Sequence, residues 1–164
     1  MYYRQETEDS KMIILPVPKK VEEKEGAMLL KVSAMVVMDA SCPQGANVYA
    51  KMLQEEISAW AGLNMGIVRG SSRKGDILLK VDASLGEDRY TLTIEEDKAV
   101  LTGGSLNALG WAVQTLRQIV RQNAGLLPCV EIDDEPDLKN RGFYHDITRG
   151  RIQTLDNPGL HQYQ

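Results

Sequence analysis

The fold is decided by Tyr90-Thr91-Leu92-Thr93-Ile94-Glu95-Glu96-Asp97-Lys98-Ala99-Val100-Leu101-Thr102-Gly103-Gly104-Ser105. From Tyr90 to Ile94 large apolar side chains alternate with hydroxyls, the period-two pattern of a strand with one buried face. The charged quartet Glu95 to Lys98 turns the chain and Ala99 to Thr102 runs back, so the stretch reads as a β-hairpin. Gly103-Gly104 ends it. Ser105 then stands where a helix N-cap belongs, its hydroxyl able to accept from a first-turn N–H. Leu106, Leu109, Val113, Leu116 and Val120 follow at three- and four-residue steps, the apolar stripe of an amphipathic helix.

Downstream, Leu127-Pro128-Cys129-Val130-Glu131-Ile132 reads as a closing strand. Upstream, Asp76 to Val81 has a continuous apolar centre, which predicts an interior strand, and Gly70 to Gly75 is a solvated loop. Met65 to Val68 is a further strand. Before it, Tyr49, Leu53, Ile57 and Trp60 form one stripe of a helix that starts after the turn Cys42-Pro43-Gln44-Gly45 and ends at Gly62. Met28 to Lys31 and Ala34 to Met38 are short β segments, preceded by a charged stretch, Lys19 to Glu25. Ile13 to Pro18 suits an edge strand, because Pro16 and Pro18 remove donors that an interior strand needs. Residues 1–12 form a loose leader. The expected fold class is α/β, an α+β sandwich: a mostly antiparallel sheet with two helices packed on one face.

The 164 residues are 43% hydrophobic, enough for one domain with a substantial core, and no repeat or low-complexity tract is present. The net charge is −4, with Lys and Arg spread among carboxylates, which argues against nucleic acid as a partner. Met12 to Leu15 is too short for a signal-peptide core or a membrane span, so a soluble chain without an export signal is expected, of unknown compartment. Cys42 and Cys129 are far apart and outside any Cys/His ligand spacing, and read as buried thiols.

The helix run Gly110-Trp111-Ala112-Val113-Gln114-Thr115-Leu116, preceded by this hairpin and its two glycines, resembles the non-catalytic domain of family 20 glycoside hydrolases, which are β-N-acetylhexosaminidase-like. That family carries a Gly-aromatic-x-x-Gln-Thr-Leu type of stretch at this place. Pro136-Asp137-Leu138-Lys139-Asn140-Arg141-Gly142-Phe143-Tyr144-His145-Asp146-Ile147-Thr148-Arg149 is similar to the family's entry into its barrel, with Arg-Gly, three mostly apolar residues, Asp and a following Arg. The resemblance implies an accessory α/β domain over residues 13–134, a linker and first barrel strand over 135–156, and a tail over 157–164 that departs from the family.

In the family the barrel binds a terminal N-acetylhexosamine, and an adjacent Asp-Glu pair runs a substrate-assisted retaining hydrolysis. Nothing here corresponds to that pair. A complete (β/α)₈ barrel takes about 250 residues, so the chain is expected to be truncated and inactive alone, with the missing barrel as its partner and N-acetylhexosamine glycans reached through the parent enzyme. Apolar surface left by the missing barrel predicts self-association.

Arg141 matches the family arginine that binds the sugar hydroxyls, the one substrate-binding site the resemblance transfers; without the barrel wall it reads as a surface arginine at a strand end. Asp146 and Arg149 read as solvated. Asp133-Asp134-Glu135, with Glu131 nearby, reads as a polar interdomain loop and not a metal site, since Ca²⁺ needs six or more oxygens. His145 and His161 lack catalytic partners at a recognisable spacing. Gly103-Gly104 has no phosphate-loop spacing and reads as a strand-to-helix turn. Trp60 and Trp111 read as core. No metal, cofactor or catalytic residue is expected. The competing classes are an autonomous carbohydrate- or protein-binding module, for which 5% aromatic content is low, and the same accessory domain from another glycosidase family.

Overall fold

The hairpin that begins at Tyr90 forms the centre of a seven-stranded sheet. The structure, a computed structural model, describes residues 12–138 and Gly142. Its strands are β1 (Lys20–Leu29), β2 (Met35–Met38), β3 (Gly66–Arg69), β4 (Ile77–Val81), β5 (Tyr90–Glu95), β6 (Lys98–Gly103) and β7 (Leu126–Asp134). They lie in the order β1-β7-β5-β6-β4-β2-β3. Helix α1 (Ala46–Ala61) links β2 to β3, and α2 (Leu106–Asn123) links β6 to β7. Pairing is antiparallel from β1 to β6 and parallel from β6 to β3, so the sheet is mixed and its longest ladder, β1 with β7, is antiparallel.

The alternation in β5 decides which face is covered. Leu92 stands between Leu101 and Ile132, and Ile94 between Ala99 and Val130; all six are fully buried beneath the helices. Each large aliphatic in that row stabilises the fold by ~1.5–3 kcal/mol through burial. Leu109, Val113, Leu116 and Val120 from α2 and Leu53 and Ile57 from α1 pack onto the same core. Ser105 caps α2 as expected, its hydroxyl accepting from Ala108 N–H at 3.2 Å. Gly62 ends α1 in the left-handed conformation.

Two family-like glycines are explained by close approach. A Cβ on Gly104 would collide with the Gly86 carbonyl, and one on Gly110 would come within 2.5 Å of the Tyr49 ring. The first lets the turn into α2 pass under the loop before β5, and the second lets α1 and α2 touch. Glu56 of α1, only 6% exposed, ties the helices together: Arg121 donates to its two oxygens at 2.6 and 2.9 Å, and Arg117 at 2.7 Å.

Three expectations need correction. Ile13 to Pro18 is no edge strand. Its backbone bonds go to side chains of α2, and Pro16 and Pro18 have no N–H for a ladder. The edge is β1, which begins inside the charged stretch Lys19 to Glu25; its outer residues are solvated on both sides and need no apolar alternation. Its charges, and the register shift between Glu23 and Ala27, discourage pairing with another chain. Trp60 is 54% exposed and not core, whereas Trp111 packs half-buried against it. Cys42 and Cys129 are buried and unpaired.

Candidate functional site

The outer side of α2 carries Trp111, Gln114, Gln118 and Gln122, successive members three or four residues apart, with the buried Thr115 beside them. Over this side runs the extended segment before β1. The Gln118 amide donates to Leu15 C=O and accepts from Leu15 N–H, both at 2.9 Å. One turn further on, Gln122 does the same for Ile13, donating at 2.6 Å and accepting at 2.9 Å. Each glutamine therefore reads one residue's backbone as a neighbouring strand would.

On the other side, β7 ends at Asp134 and the chain continues through Glu135 to Leu138. A cleft of about 430 Å³ opens between the two segments, floored by Tyr90, Trp111 and Thr115 and walled by Leu15, Val17, Pro136 and Leu138. Its polar groups are engaged with one another. Tyr90 Oη lies 2.7 Å from Thr115 Oγ1 and donates to Asp134 Oδ2 at 3.1 Å, while Asp134 Oδ1 accepts from Lys19 N–H. Lys19 Nζ bridges Glu135 at 3.2 Å and Asp137 at 3.1 Å. Hydrogen bonds that the Lys19 ammonium donates to Asp137 and then Glu135 raise its pKa. Burial raises that of the Tyr90 phenol.

Asp133, read as part of a loop, lies within β7 and forms a two-pronged pair with Arg89: Nε donates to Oδ1 at 2.7 Å and the second nitrogen to Oδ2. This guanidinium holds the Asp133 carboxyl below the usual carboxylate range. A general acid at neutral pH needs the opposite shift. The cleft itself is equipped to hold segments together and to receive apolar groups. Among the described residues no group of three or more His, Cys, Asp or Glu side chains is placed to hold a metal ion, and no helix is long and apolar enough to cross a membrane.

Arg141, Asp146, Arg149, His145 and His161 lie outside the described residues. Gly103-Gly104 forms the predicted strand-to-helix turn. Sequence reading missed the glutamine pair and the cleft, because their partners lie more than 100 residues apart; two amides one turn apart on the solvent side of α2 were the available signal.

Comparison with known proteins gives a consistent picture. The family model for glycosyl hydrolase family 20, domain 2, matches residues 11–135. A β-hexosaminidase of Vibrio furnissii is 26% identical over 162 residues, covering 94% of this chain and 25% of that protein. Among solved structures, CpGH84D superposes with a TM-score of 0.68 at 16% identity, over 82% of this chain and 25% of that one. The β-N-acetylhexosaminidase of Bacteroides fragilis NCTC 9343 superposes with a TM-score of 0.62 at 23% identity, over 78% of this chain and 26% of that one. At these identities the two structures speak for the fold alone. The chain spans between 15% and 25% of the length of the curated relatives it matches.

Proposed function

We propose, from the premise that this chain belongs to glycosyl hydrolase family 20, domain 2, that it is the accessory, non-catalytic domain of a β-N-acetylhexosaminidase and steadies that enzyme's catalytic barrel. The observation that carries this reading is the family match over residues 11–135, which takes in all seven strands and both helices. The mutually engaged side chains of the cleft support it, since a bracing domain needs a fixed surface and no reactive group. The whole protein would release terminal N-acetylhexosamine from glycans, with the chemistry supplied by the barrel.

Residues 13–134 form the accessory domain in this reading and 135–156 the linker and first barrel strand. Arg141 at the start of that strand binds sugar hydroxyls once the barrel is intact. Without a barrel against it, the apolar surface beside the cleft drives self-association.

The test is direct. The purified 164-residue chain should release no nitrophenol from a nitrophenyl N-acetylglucosaminide. Turnover that follows the chain through every purification step overturns the non-catalytic reading. The exposed indole of Trp60 favours a second reading, a carbohydrate-binding module. Titration with N-acetylglucosamine oligomers to millimolar concentration, followed by amide chemical shifts, should leave α1 unmoved; saturable shifts centred on Trp60 would favour the module instead.

A further inference from the structure

We infer that the catalytic domain seats on the strap formed by residues 13–17 and on the cleft between that strap and the exit segment Asp134 to Leu138. This rests on the accessory reading above and adds the surface to it.

All four hydrogen bonds that hold the strap go to its backbone. The side chains of Ile13, Leu15 and Val17 take no part in the holding and are 64%, 66% and 78% exposed, while Ile14 between them is buried. Single exposed aliphatics are ordinary on a protein surface. Three on one short segment, two of them, Leu15 and Val17, lining a cleft walled also by Pro136 and Leu138, make an apolar surface of the kind that marks an interaction site. Val32, Val48, Trp60 and Val68 sit on separate elements, and Leu29 and Leu126, 58% and 55% exposed, form a smaller pair across β1 and β7 with no cleft beside it.

The course of the chain identifies the occupant. Asp134 to Leu138 is itself one wall of the cleft, so whatever follows Leu138 starts at the rim of the patch. In three curated relatives at least three quarters of the protein lies outside the part this chain matches. A domain tethered at that rim meets the strap at high effective concentration. Lys19, two residues past the strap, bridges to Glu135 and Asp137 of the exit segment and so brings the two walls of the cleft side by side. The fitting occupant is an aliphatic or aromatic cluster of the catalytic domain, inserted between Leu15 and Leu138.

The 164-residue chain is titrated calorimetrically against the remaining three quarters of the Vibrio furnissii β-hexosaminidase. The unmodified chain should bind, and the double variant Leu15→Ser/Val17→Ser should bind at least about ten-fold more weakly, the loss expected from two aliphatic anchors. Val68→Ser, on the edge strand at the far side of the sheet, should change the affinity less than about two-fold. All three proteins should share one thermal midpoint, because the altered side chains are exposed. If the strap variant binds as well as the unmodified chain, the seat lies elsewhere and this assignment alone falls. If the unmodified chain does not bind, the assignment falls, while the accessory reading stands on the family match and on its own activity test. If it forms only a dimer with itself, weakened by the strap variant, the patch belongs to a second copy and the assignment is overturned.

Discussion

Glu56 shows what single side chains contribute here. Its carboxyl is held below its ordinary value of 4.5, chiefly by the hydrogen bond from Arg121 and then by Arg117, against the opposing effect of burial. The unfolded chain therefore takes up a proton at Glu56 at a higher pH than the folded one. The stabilisation is complete above the ordinary value and is lost as pH falls through the lowered native one. Glu56→Gln should cost about 2–3 kcal/mol at neutral pH, less than a fully buried triad would, because Arg121 is half exposed. The urea midpoints of the variant and the unmodified protein should converge well below pH 4.5; a constant gap across the acid range would contradict this. The triad could not be read from the sequence, since its members lie 61 and 65 residues apart. Ser105 could, because a cap acts on the next turn and its spacing is local. Trp60 misled for a related reason: its helical spacing puts it near the apolar stripe, but α1 lies at the margin of the sheet and leaves that position uncovered.

Elements were legible where one face is buried and the other is not. In β5 the alternation of Tyr90, Leu92 and Ile94 with Thr91 and Thr93 is a direct imprint of the covered face. In β1 the imprint is missing, because Lys20 to Glu25 are exposed on both sides and are held by their backbone ladder and the Lys24–Glu131 ion pair, not by apolar burial. The strap inverts the case: Ile13 to Val17 looks like a strand, yet its ladder is supplied by two side chains. Gln118→Ala/Gln122→Ala removes those four bonds, each worth about 0.5–1.5 kcal/mol. The amides of Ile13 and Leu15 should then exchange with deuterium at least ten-fold faster, while those in the middle of α2 keep their protection. Loss of protection throughout α2 would mean that the glutamines support the helix and not the strap. Strand order was equally hidden, since β1 beside β7 and β4 beside β6 are long-range pairings that no periodicity encodes.

At the scale of the molecule, the order of motifs pointed to the right family, and one of its glycines, Gly104, marks a backbone contact for which only a hydrogen side chain leaves room. The cleft was out of reach, being assembled from four stretches of chain that meet only when the sheet closes. Its exposed aliphatics carry a further expectation. In sedimentation velocity the 164-residue chain should show a coefficient that rises with concentration, and Leu15→Ser/Val17→Ser should flatten that rise; an ideal monomer throughout would remove the self-association reading. The Lys19 bridge has one more implication, for architecture. It sets the way into the domain beside the way out, a few ångströms apart. A unit whose entrance and exit adjoin is a cassette: it can be set into a surface loop of another polypeptide without prising that host apart, and can be transplanted between enzymes as a whole.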